Sequence, residues 1–311
     1  MLKPRNKAAN VITAIVAALL SILLVVLLFA TALLGTVNSM TTPEGLGKVV
    51  NDAMQNMDFE QIIVDSAGDM AIAEEDLKEA QIINRLLKTE AAEEIIDLFA
   101  AEIAANLNRD EGNLLNDMSV RKIVHEHADE IVDVLCDIDP SIDRETVREE
   151  MLGYVDENAD ELVNDLMGSV TESIGSTEEI APVLDAMKIA LIVLVVLCVV
   201  LASGIYGCRY YRFGGFLWVG IDAAVAGLLT TFTALAMKSD LLTEMLAEAP
   251  QDGAIITATV YGIGGHFMRT ALLMLGVGVL LIGLFILLKC TVVNPKVKAA
   301  KAAEELPVAE A

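Results

Sequence analysis

His125-Glu-His-Ala-Asp-Glu-Ile-Val-Asp-Val-Leu135 and Asp156-Glu-Asn-Ala-Asp-Glu-Leu-Val-Asn-Asp-Leu166 are two versions of one amphipathic phrase, 31 residues apart. A looser version, Glu90-Ala-Ala-Glu-Glu-Ile-Ile-Asp-Leu98, lies 36 residues before the Glu126 register. Apolar residues at helical spacing, separated by acids, describe helices with one buried face. One such helix cannot bury its own stripe, so recurring copies read as helices stacked on one another. The alternative is that Ala, Asp, Glu, Ile, Leu and Val at helical period resemble one another by chance.

The same pattern extends outward on both sides. Leu46, Val49, Val50, Ala53, Met54 and Met57 form a stripe, and Thr42-Pro43-Glu44 supplies its N-cap, a pre-set first φ and a carboxylate suited to the helix dipole. Ala92, Ile96, Phe99 and Ile103 form a second stripe, and Val124, Ile131, Val134, Leu135 and Ile138 a third. From Asn38 to Asp185 there are 37 Asp and Glu against 9 Lys and Arg, a local charge of −28 that exceeds the −24 of all 311 residues. Helical periodicity separates this segment from a disordered acidic tail.

Farther out, the chain turns apolar. Its hydrophobic content of 55% and mean hydropathy of +0.56 point to a membrane protein. Val11 to Leu34 is 24 residues without a charge, about 36 Å as a helix and long enough to span a bilayer. A cleavable signal peptide is the rival reading, and Ala30-Thr-Ala32 resembles a cleavage site. The apolar core of a signal peptide is roughly 7–15 residues, shorter than this stretch, so a retained anchor is expected. Three further spans follow. The expected organisation is an all-α membrane protein with four transmembrane helices and a large, repeat-like extracytoplasmic helical domain between the first and second. Residues 1–10 are a cytoplasmic N-tail, 11–37 the first span, 38–185 the acidic extracytoplasmic domain and 186–206 the second span. Residues 213–237 are the third span, 238–269 an acidic extracytoplasmic loop, 270–288 the fourth span and 289–311 a cytoplasmic C-tail. Ser176 and Glu179 have capping-box spacing before the second span, and Pro182 is expected to break or kink the chain there.

Basic residues set the expected orientation. Lys3, Arg5 and Lys7 precede the first span, Arg209 and Arg212 sit in the turn between the second and third, and Lys289, Lys296, Lys298 and Lys301 follow the fourth. The positive-inside rule puts these segments in the cytoplasm of a plasma-membrane protein with both termini inside. Lys188, Lys238 and Arg269 dissent at outer span ends, where long side chains can snorkel. The acidic domain and the loop bearing Asp240, Glu244, Glu248 and Asp252 then face outward. Cys136 is the only cysteine of the acidic domain, so no disulfide closes within it.

Few residues invite chemistry. Asp222 lies in the third span, with no opposite charge in any of the four apolar cores. An acid at membrane depth costs roughly 2.5–3.5 kcal/mol on insertion scales, which makes it a functional candidate. On a helical wheel it shares a face with Ala226, Thr230 and Thr233, while Gly220, Ala224 and Gly227 form an opposite small-residue face suited to close packing. The alternative is an interfacial acid near Trp218 that reaches headgroups or Arg212. His125, Asp129 and Asp133, spaced i, i+4 and i+8, are weak candidates for a cation site, because the matching register of the later copy keeps no such set. His125-Glu-His-Ala-Asp129 lacks the second histidine that a zincin motif needs, so no metal is expected. His127 reads as a core histidine, and His266, after Gly262-Ile-Gly264-Gly265, as part of a flexible lead-in to the last span.

The sequence holds no nucleophile elbow, no P-loop and no paired Cys-x-x-Cys, so neither an enzyme nor a cofactor is expected. Acidic surfaces also exclude nucleic acid as a partner. Two readings stay open. In one, the outer domain binds or senses a protein or cationic partner and the spans anchor it in the lipid bilayer. In the other, the spans work as a small transporter, channel or accessory permease subunit, with Asp222 on the path.

Overall fold

The computed structural model describes residues 7–67, 73–109, 114–174, 177–208, 213–239, 242 and 253–295. Among them there is no strand. Eleven helices are described: α1 (Lys7–Ser39), α2 (Pro43–Asn56), α3 (Phe59–Ala67), α4 (Glu74–Leu86), α5 (Glu90–Leu107), α6 (Asp117–Glu126), α7 (Ala128–Ile138), α8 (Arg144–Ile174), α9 (Thr177–Cys208), α10 (Gly214–Met237) and α11 (Gly253–Leu288). A π-helical turn, Lys289–Val293, follows α11. The expected capping residue Ser176, the turn with Arg209 and Arg212, the four acids of the 238–269 loop, and Lys3, Arg5, Lys296, Lys298 and Lys301 lie outside the described residues.

Among the described residues, four helices are long and apolar enough to cross a membrane: Ile12–Ser39, Ile180–Cys208, Gly214–Met237 and Ile256–Val293. Together with the all-helical content, they make this an all-α membrane protein. Two boundaries differ from expectation. The last helix begins at Gly253, 17 residues before the expected position 270, so Gly262-Ile-Gly264-Gly265 is helical rather than a flexible lead-in. Intrahelical hydrogen bonds outweigh the modest per-residue penalty of glycine once neighbours are available to pack against. Pro182 lies inside α9 and does not end it.

The chain divides into two compact units. The first comprises residues 1–35, 188–233 and 267–311. Within it α1 and α9 run antiparallel: Leu20 lies against Gly204, Thr31 Oγ1 is 3.7 Å from Cys198 Sγ, and Leu191 lies against Gly35. Leu24, Cys198 and Ile205 are buried at this seam, with Leu20, Leu27, Leu28, Leu201, Trp218 and Val219 packed around them. Tyr206 of α9 and Phe216 of α10 meet edge to face, ring centroids 5.2 Å apart. Small residues bring α10 and α11 together. A Cβ on Gly278 would stand 2.7 Å from Ala224 N, and one on Gly227 would stand 2.9 Å from Leu275 N. The Gly220, Ala224 and Gly227 face is therefore where α10 packs, as small residues allow in the absence of a hydrophobic drive.

The second unit comprises residues 36–187 and 234–266. Thr42 caps α2 by accepting from Gly45 N, with Pro43 in the first turn. α2 packs on α5, α3 on α4, α4 on α7, and α6 and α7 on α8. The main cluster is Leu115, Val120, Val124, Val155 and Ala159, surrounded by Ile95, Leu98, Phe99, Ile131, Met151, Leu152, Val163 and Met167. Asn116 and Ser119 close a reciprocal capping box at the start of α6. α5 stops where Asn108 bonds back to Ala104 O and Arg109 adopts φ 60°.

Candidate functional site

Asp222 stands eight residues after Gly214, about 12 Å along α10 at a 1.5 Å rise per residue. It is 2% exposed. Ser21 of α1, 7% exposed, donates its hydroxyl to Asp222 Oδ1. The second carboxyl oxygen, Oδ2, is buried and has no hydrogen-bond partner among the described residues. Ser21 and Asp222 each lie about a third of the way along their spans from the N-terminal end. The polar neighbours on the same face are satisfied elsewhere: Thr230, fully buried, donates to Ala226 O at 2.9 Å, and Thr233 donates to Leu229 O at 3.1 Å. This back-bonding to the preceding turn is the usual outlet for a helical threonine in apolar surroundings. Here the carboxyl is enclosed, and Trp218 packs against the Leu24, Cys198 and Ile205 seam.

In the second unit, His125, Asp129 and Asp133 do not come together. The helix they were expected to share is interrupted at His127, whose φ of −105° and ψ of 14° end α6 and start α7. His125 stays on α6 and places Nε2 3.0 Å from Asp156 Oδ1 of α8. Asp129 accepts from Arg148 Nε at 3.2 Å, and Asp133 is bonded to Arg144. The Asp133 hydrogen bond and charge hold the Arg144 guanidinium above its ordinary value. Arginines therefore occupy the directions a cation would need. Among the described residues no group of three or more His, Cys, Asp or Glu is placed to hold a metal ion.

His127 is largely enclosed and partnered on both ring nitrogens. At 17% side-chain exposure, it sets Nε2 3.4 Å from Glu94 of α5 and Nδ1 3.4 Å from Glu130 of α7. Glu130 in turn accepts from Glu90 N at 3.0 Å, placing a carboxylate at the positive end of α5.

His266 forms a pairing that the sequence did not suggest. Its Nε2 lies 2.7 Å from Ser39 Oγ. Ser39 Oγ also lies 2.7 Å from Thr36 O, within one turn of its own helix. Beside it, Lys238 Nζ sits 4.2 Å above the Tyr261 ring.

Ser21 was also missed. The available signal was a hydroxyl inside an otherwise apolar span, which marks a residue seeking a polar partner but does not name it. No protein-family model, no curated protein and no solved structure matches the chain.

Proposed function

We propose that this is a multi-pass plasma-membrane protein, both termini cytoplasmic, whose acidic helical domain, residues 38–185, lies outside the cell as a binding or sensing module. Its partner is a protein or ligand with a cationic surface. The observation that carries this reading is the charge: 37 acids against 9 bases give the segment a net charge of −28. A field of one sign steers oppositely charged partners toward it. The α5 face adds concave surface. A cleft of about 330 Å³ is lined by Pro43, Glu44, Lys48, Asn51, Glu93 and Asp97.

The orientation is tested on the full chain, without its four native cysteines. A cysteine at Met118, 75% exposed, should react with a membrane-impermeant maleimide outside intact cells, and one at Ala303 should not. Binding is tested with an oligolysine peptide. Replacing Glu93 and Asp97 by their amides should weaken its attachment to cells that display the protein, and unchanged attachment removes the α5 face as the working surface.

A second reading, a small transporter or accessory permease subunit, is favoured by the enclosure of Asp222. Asp222→Asn should then abolish flux while leaving the protein inserted.

A further inference from the structure

We propose that Asp222 and Ser21 form a binding site for one exchangeable proton within the membrane-spanning unit. Three observations converge. The carboxyl is 2% exposed, and Ser21 is its one hydrogen-bond donor among the described residues. Its Oδ2 is buried and unpartnered. Among the described residues no Lys, Arg or His pairs with the acid.

The chemical class of the ligand follows from the oxygen count. A metal cation such as Na⁺ or Ca²⁺ needs a shell of several oxygens, six to eight for calcium. Among the described residues the side-chain shell amounts to the carboxyl and one hydroxyl, since Thr230 and Thr233 are turned onto their own helix. A proton needs one oxygen, and Oδ2 is the free one. The step is a simple association: a proton from water bonds to Oδ2, the carboxylate becomes a neutral acid, and the Ser21 hydroxyl keeps its bond to Oδ1. Release reverses it, with no other group oxidised, reduced or transferred. Because Ser21 belongs to α1 and Asp222 to α10, occupancy of the site adjusts how these two helices hold each other. An uncharged acid with a satisfied Oδ1 suits the enclosed seam, and the ionised form draws water or separates the pair.

The inference deepens the second reading, and its test separates the two. The full chain is reconstituted in phospholipid vesicles, and infrared difference spectra are taken between parent and Asp222→Asn. A carboxylic-acid C=O band should be present in the parent and missing from the variant. It should shift in D₂O and give way reversibly to carboxylate as pH rises. Ser21→Ala should move the band to higher frequency, because the hydrogen bond to Oδ1 is lost, a signature that a merely structural serine would not produce. Absence of the band at every pH at which the chain stays folded overturns the site. So does its replacement by carboxylate on adding Na⁺ at constant pH, which would make the ligand a metal cation. Retention of the band in a protein that moves no solute leaves the proton site standing and removes only transport.

Discussion

His125 and Asp156 hold the same register in the two copies of the repeated phrase, and their side chains meet at 3.0 Å across α6 and α8. Like positions of like sequences face each other, so the copies pack as partners. Both side chains are about half exposed, and exposed pairs contribute about 0.2–1 kcal/mol at most. A double-mutant cycle of His125→Ala and Asp156→Ala should give a coupling within that range. A larger value would mean that the pair holds the fold rather than marking its register.

The apolar cluster beneath that pair is the stronger bond between the copies. Leu115→Ala should destabilise the second unit by about 2–5 kcal/mol, as buried leucine truncations do. Leu166→Ala, at a 43% exposed position, should cost about 0.5 kcal/mol or less. Denaturant melts of the full chain in detergent, followed by circular dichroism, decide it. Equal losses at both sites would displace the core from Leu115.

How much of this was legible in advance is shown by the third stripe. Treating the chain from Val124 to Ile138 as one continuous helix predicts Val124, Ile131, Val134, Leu135 and Ile138 as its apolar face. Val124 is buried, but the residues enclosed after it are Ala128 and Val132. These are at i+4 and i+8 from Val124, beside Ile131 of the expected stripe, which packs on the main cluster; the break at His127 itself is not marked by residue spacing, since the equivalent Asn158 lies within the unbroken α8. Spans were legible because they depend on composition and length alone. Asp222 was legible as a lone charge in an apolar run. Its partner was not, because periodicity names faces of helices and does not say which faces meet.

Salt should stabilise the protein. Its excess of like charge is self-repelling at low ionic strength, and a screening length of about 10 Å at 0.1 M reduces that repulsion. Thermal melting in detergent should shift upward with added NaCl. Ca²⁺ or Zn²⁺ should add nothing beyond matched ionic strength, and a specific rise with either ion would restore the cation site at Asp129 and Asp133.

Acid should open the start of α8 first. Asp143 lies below its ordinary value of 3.8 because Thr146 Oγ1, and then Thr146 N, donate to it at 2.5 and 3.1 Å. A depressed folded value means the contribution is present above 3.8 and lost as pH falls through the lower folded value. The protection of amides in the first turn of α8, corrected for the intrinsic pH dependence of exchange, should therefore stay flat from neutrality down to the ordinary carboxylate range and fall below it. Asp143→Ala should exchange faster throughout and lose that acid step. A step that survives the substitution would assign it to another carboxyl.

Two glycines of α11 should behave oppositely. Gly278→Ala puts a methyl against the α10 backbone and should cost about 1–3 kcal/mol, the range for overpacking. Gly276→Ala meets nothing within 4 Å and should be neutral or slightly stabilising. Thermal denaturation in detergent gives both values, and a tolerated Gly278→Ala would mean that the two backbones are not in contact.

Among the four spanning helices, α10 is the most sheltered and the least hydrophobic. A segment that meets lipid on every side must be apolar all round, whereas one that arrives among partners is released from that demand. During synthesis α10 is therefore the segment least able to leave the translocon alone, and its residence in lipid depends on neighbours already waiting. Chain order supplies the critical one: Ser21 is made 201 residues before the acid it receives. The hydroxyl is in place when the carboxyl emerges.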